Sequence, residues 1–171
     1  MLPLGTVERT SRGRNGPGGR TQEIQRLVGR SLRAAMATMA FGEYTIRIDC
    51  DVLQADGGTR TASITGGCVA LSDACAWLAK RTGIANPFGR LVAAISVGIV
   101  DGEPRLDLAY LEDRDAGVDA NVVMLHPDQY VEVQGTGEHG TFSRAELDTI
   151  LGLADGGIRQ LFEAQARVLT E

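Results

Sequence analysis

No stretch of this sequence approaches the roughly eighteen consecutive apolar residues of a membrane-spanning helix, so no membrane span is expected. The first thirty residues contain no apolar run and are rich in arginine and glycine, which argues against a secretory signal and for a cytoplasmic protein. Cysteine is scarce. Cys50, Cys68 and Cys75 are odd in number and form no C-x-x-C, so neither a disulfide framework nor a zinc clip is indicated. Cys68 and Cys75 lie on one face of a helical pattern and read as small buried hydrophobes rather than redox groups. Histidine is scarcer still. His126 precedes a turn proline and His139 sits among glycines, so both read as loop residues rather than general bases. No low-complexity class applies, because apolar residues recur in periodic blocks throughout the chain.

What is present suits a single folded domain: 171 residues, 43% hydrophobic and 23% charged. The net charge of −5 hides an asymmetry. Residues 1–33 hold seven arginines against two acids, a balance of +5, and the other 138 residues hold ten basic and twenty acidic groups, a balance of −10. A basic end on an acidic body fits a local anion-binding surface, or simply a solvated charged face.

Residues 1–17 are rich in arginine and glycine without periodicity and read as a loop. Thr21 is placed to cap a helix running to about Ala40, with Ile24, Leu27, Val28, Leu32, Ala35, Met36 and Met39 at helical spacing and Arg26, Arg30 and Arg33 as a basic stripe. Tyr44 to Cys50 alternates as a half-buried strand continuing toward Leu53. After the turn Asp56-Gly57-Gly58-Thr59-Arg60, helical spacing predicts a long helix over 61–81. Leu91–Val100 reads as a buried strand, Asp101-Gly102 as a hairpin turn and Arg105–Leu111 as the return strand. A second hairpin joins Asn121–Leu125 to Tyr130–Val133. Ser143 and Glu146 match a capping box that opens a final helix of about twenty-five residues. Helices interleaved with antiparallel hairpins imply an α+β domain.

Three features carry chemistry. Gly57-Gly58-Thr59-Arg60 lies where a strand gives way to a helix, so backbone N–H groups, the helix dipole and a planar guanidinium converge as an anion site would require. The same string also serves as an ordinary tight turn with a surface arginine. Asp113 and Asp119, with Glu112, Asp107 and Asp115 nearby, form either a hard oxygen site of the kind Mg²⁺ prefers or a solvated acidic loop. Gly19-Arg20-Thr21 sets a second arginine at a helix start. Together these are the parts of phosphoryl-transfer chemistry, which works mainly through positioning and electrostatics.

The strings GGRTQEIQRLVGRSLRAA (18–35), LQADGGTRTASITGGCVAL (53–71), AAISVGIVDGEPRLDLAYLED (93–113) and NVVM (121–124) resemble ribonuclease PH, from about Gly18 to the C-terminus. The resemblance implies the two-layer α+β fold shared with ribosomal protein S5 domain 2, as one domain over 18–171. It implies a phosphate-dependent 3′→5′ exoribonuclease that trims tRNA precursors and releases nucleoside diphosphates. Arg20, Gly58, Thr59 and Arg60 would bind the attacking phosphate, and Asp113 and Asp119 would hold Mg²⁺ or Mn²⁺ as the catalytic pair. Arg9, Arg12 and Arg14 would contact RNA, and dimers would join into a homo-hexameric ring with no membrane partner. Members of that family carry a long N-terminal stretch before the M-L-P that begins this sequence, so the fold is expected to be N-terminally truncated and the strand at 44–53 to lack neighbours. A non-catalytic RNA-binding or ring-forming scaffold of the same superfamily is the alternative.

Overall fold

The computed structural model describes residues 18–170, so Arg9, Arg12 and Arg14 lie outside the described residues. Four helices and four strands follow in the order α1 (Gly19–Ala34), α2 (Thr59–Thr82), β1 (Val92–Val100), β2 (Glu103–Leu106), α3 (Tyr110–Asp115), β3 (Val118–Leu125), β4 (Gln129–Gly137) and α4 (Arg144–Thr170). The strands form one antiparallel sheet in the order β2-β1-β3-β4. The architecture is α+β.

Strand pleating divides the core in two. Val92 and Ala94 of β1 and Val123 and Leu125 of β3 point to one face, where Leu27, Leu32 and Ala35 from α1 and Ile64, Cys68, Leu71 and Cys75 from α2 cover them. Ala93, Ile95 and Val97 with Ala120, Val122 and Met124 point to the other face, which Ile150, Ala154, Ile158 and Phe162 of α4 cover. Ser143 and Glu146 form the expected box at the start of α4: Ser143 N donates to Glu146 Oε2 at 2.6 Å, and Glu146 N donates to Ser143 Oγ at 3.2 Å. Cys68 and Cys75 are buried, and desolvation raises both thiols.

Several sequence expectations shift. α1 begins two residues before Thr21, with Gly18 at its N-cap and no side-chain cap. It stops at Ala34 rather than near Ala40, because the next backbone groups bond a different segment: Ala35 O accepts from Gly89 N and Arg90 N, and Ala37 N donates to Pro87 O. Arg30 of the basic stripe is paired with Glu132 on β4. Residues 44–53 form no strand. Ile46 and Ile48 do turn inward onto the α1–α2 core, but among the described residues no strand runs alongside to complete a ladder. The return strand ends at Leu106, because Asp107 takes a left-handed conformation (φ +56°) that a ladder does not accommodate, and residues 110–115 coil into α3. β3 starts three residues before Asn121, and β4 runs on to Gly137.

α2 is long and apolar enough, by length and composition, to cross a membrane, which the lack of an unbroken apolar run did not reveal. In this fold its buried stripe has partners in α1 and the sheet. Thr65 Oγ1 accepts from Ala94 N at 3.1 Å, and Gln165 of α4 donates through Nε2 to Thr65 O at 2.8 Å and Val92 O at 3.0 Å. These contacts close the part of the β1 edge that short β2 leaves uncovered.

Candidate functional site

The sheet face under α2 changes character along its length. Toward one end it is apolar (Val92, Ala94, Val123, Leu125). Toward the other, the cross-strand pairs are Ser96 with Asn121 and Gly98 with Asp119. The N-terminus of α2 sits over this polar end. Gly57 and Gly58 both have positive φ, +75° and +53°. A Cβ on Gly57 would lie 2.0 Å from Leu108 O, and one on Gly58 would lie 3.6 Å from both Ser96 Oγ and Asp107 Oδ1. Only glycine allows this approach at Gly57. The opposite wall is tied down as well: Leu108 N donates to Ser96 Oγ at 3.1 Å, Asp107 N to Ser96 O at 2.7 Å and Tyr110 N to Asp56 Oδ1 at 3.0 Å. Gly98 makes room for Leu108, whose Cδ1 would lie 2.8 Å from any Cβ there.

The two helix N-termini at this end break a local rule. α1 and α2 each carry an arginine in their first residues, Arg20 and Arg60, and neither has an acid in its first turn. A cation there opposes the macrodipole, whereas an anion would be favoured. Glu23 of α1 bridges the two helices by accepting from Arg60 Nη1 at 3.1 Å. Arg20 lies one turn earlier on α1 and is exposed.

Asp119 is the most perturbed group. Its Oδ1 is buried without a hydrogen-bond partner among the described residues. Burial and the nearby charges of Asp113 and Glu138 push its carboxyl up to about 6, while Arg60 pulls the other way. Asp113 and Arg60 therefore both stand within electrostatic reach of Asp119. Among the described residues no three His, Cys, Asp or Glu side chains gather as a metal cage. The arrangement fits instead a divalent cation held by two carboxylates with substrate and water oxygens, because a cation beside Asp119 would satisfy the orphaned oxygen and relieve the Asp113 repulsion. His126 and His139 are exposed loop residues.

Of the residues singled out in the sequence, the structure brings Gly58, Thr59, Arg60, Asp113 and Asp119 to one end of the sheet. It puts Arg20, exposed, at the start of the neighbouring helix α1. Asp107, named with the acidic group in the sequence, also belongs to this end, as do Glu23, Ser96 and Asn121, which were not singled out there as site residues. Their signal was available in part: Ser96, Asp119 and Asn121 are polar interruptions of otherwise apolar strands.

Two family descriptions match the chain: 3′ exoribonuclease family, domain 1, over residues 1–76, and 3′ exoribonuclease family, domain 2, over residues 90–157. Among solved structures, Rrp46 of rice (Oryza sativa) is similar with a TM-score of 0.67 and 18% identity, over 91% of this chain and 68% of that one. A chain of the Archaeoglobus fulgidus exosome, solved with RNA bound to the active site, is similar with a TM-score of 0.71 and 18% identity, over 96% of this chain and 67% of that one. At this identity the likeness is one of fold.

Proposed function

The chain belongs to the 3′ exoribonuclease (ribonuclease PH) family, and on that premise we propose that it is a phosphate-dependent 3′→5′ exoribonuclease acting on tRNA precursors. The observation that carries the reading is Asp119: a half-buried carboxylate with an orphaned, enclosed oxygen, within electrostatic reach of a second carboxylate and of the arginine at a helix N-terminus. In this reading the free N–H groups of the Gly58-Thr59 turn and the Arg60 fork hold inorganic phosphate, with Arg20 as a further cation. They orient one phosphate oxygen toward the 3′-terminal phosphodiester. That oxygen bonds the phosphorus, the bond to the preceding 3′ oxygen breaks, and a nucleoside diphosphate leaves a shortened RNA with a free 3′ hydroxyl. Asp113 and Asp119 would hold Mg²⁺ or Mn²⁺, which when bound supplies charge neutralisation at the reacting phosphate. Arg9, Arg12 and Arg14 would guide the RNA, and the working form would be a homo-oligomeric ring.

The test is release of nucleoside diphosphates from a tRNA precursor with a 3′ extension, in Mg²⁺, with and without inorganic phosphate, beside Asp119→Asn. The expected result is release that requires phosphate and falls by at least about a hundredfold in Asp119→Asn, the size of effect an electrostatic catalytic group contributes. No release from folded, oligomeric protein would overturn the enzyme reading in favour of a non-catalytic RNA-binding or ring-forming subunit.

A further inference from the structure

Arg60 is bonded to one carboxylate, Glu23 on α1, and lies within electrostatic reach of another, Asp119 on β3. Its bond to Glu23 uses Nη1 alone. The Nε–Nη2 edge has no protein hydrogen-bond partner among the described residues, and that planar edge is the one suited to a bidentate phosphate contact. Nothing in the first turn of α2 itself anchors the guanidinium, because that turn carries no acid. A long side chain left free there would be drawn onto the Asp119 carboxylate, removing it from an incoming anion. We propose that Glu23 is a positioning residue: it tethers one amino group of Arg60, keeping the guanidinium off Asp119 with its other edge open to phosphate.

This rests on the reading of Arg60 as a phosphate ligand. It goes further by assigning a role to a residue of α1 that would not itself touch substrate. It also reverses the simpler electrostatic expectation, in which a carboxylate near an anion site weakens binding and its removal tightens it. The ion pair is partly exposed, with side-chain accessibilities of 30% for Arg60 and 47% for Glu23, so its effect is modest.

The experiment compares the parent protein with Glu23→Ala, Glu23→Gln and Arg60→Gln, each shown to be folded by near-ultraviolet circular dichroism. Inorganic phosphate is titrated calorimetrically, and the Arg60 Nε–H signal is followed by NMR relaxation. Glu23→Ala is expected to weaken phosphate binding about threefold to fivefold, the range an exposed ion pair supports, with the KM for phosphate rising in step and kcat within about twofold. Glu23→Gln keeps an acceptor oxygen for Nη1 and is expected to bind phosphate at least as tightly as the parent. The Arg60 side chain is expected to be ordered in the parent and in Glu23→Gln, and freed in Glu23→Ala. Phosphate binding in Glu23→Ala equal to or tighter than in the parent would overturn the proposal. If Arg60→Gln leaves phosphate binding unchanged, the phosphate reading itself fails. The NMR arm then judges the tether alone, and unchanged Arg60 relaxation in Glu23→Ala would overturn it.

Discussion

A half-buried carboxylate with one enclosed oxygen that accepts no hydrogen bond costs stability, and Asp119 makes that cost measurable. Its folded-state carboxyl titrates near 6, above the ordinary value of 3.8. Below about pH 4 both folded and unfolded chains keep the proton, and the site is neutral to folding. Between about pH 4 and 6 the unfolded chain alone loses it, so stability falls as pH rises through that window, and above 6 the full penalty applies. Asp119→Asn is therefore expected to stabilise the cation-free protein at pH 7.5, by on the order of 1 kcal/mol once solvent screening of a partly exposed group is allowed for. The gain should vanish at pH 3.5, and urea midpoints at the two pH values read it directly. Glycines make a second residue-scale contrast. Gly57→Ala is expected to cost more than about 3 kcal/mol, from strain at positive φ and collision with Leu108 O. Gly66→Ala, on an open part of α2, should stabilise by about 0.5–1 kcal/mol. Thermal melts of the pair test both signs.

At the scale of elements, how much could be read from the sequence depended on whether a segment carries its own partner. α2, β1 and α4 were legible because periodicity, an uninterrupted apolar run and a capping box are local signals. The 44–53 segment has the right alternation, and Ile46 and Ile48 do turn inward, yet alternation says nothing about whether a neighbouring strand exists. The 105–111 segment failed differently: Leu106 and Leu108 alternate as a strand would, but Asp107 turns the chain, and one dihedral cannot be read from spacing. The closure of the β1 edge was equally hidden, since Thr65 and Gln165 are a hundred residues apart. Gln165→Leu is expected to leave Val92 O without its donor and to destabilise by about 1–2 kcal/mol, seen as a lower urea midpoint at unchanged slope.

Over the whole molecule, the candidate site was legible as parts but not as an assembly. The glycine turn with Arg60 and the acidic pair were visible as types of residue suited to anions and cations. Their meeting depends on α2 crossing the same sheet face that presents Asp119, which no local pattern encodes. Glu23 gave no local signal of a site role, because its partner lies on another helix. The polar interruptions Ser96, Asp119 and Asn121 were the one long-range clue in the strands.

The division of one sheet face into a dry end and a wet end has an evolutionary consequence. Cohesion is concentrated under Cys68, Leu71 and Cys75, while the candidate site groups stand where little apolar surface is at stake. Replacing Asp119 removes an electrostatic burden rather than a brick, so a lineage that no longer needs turnover can drift out of it without risking collapse. Regaining it means climbing back uphill. A sheet divided in this way can keep its shape when the residues at its wet end change.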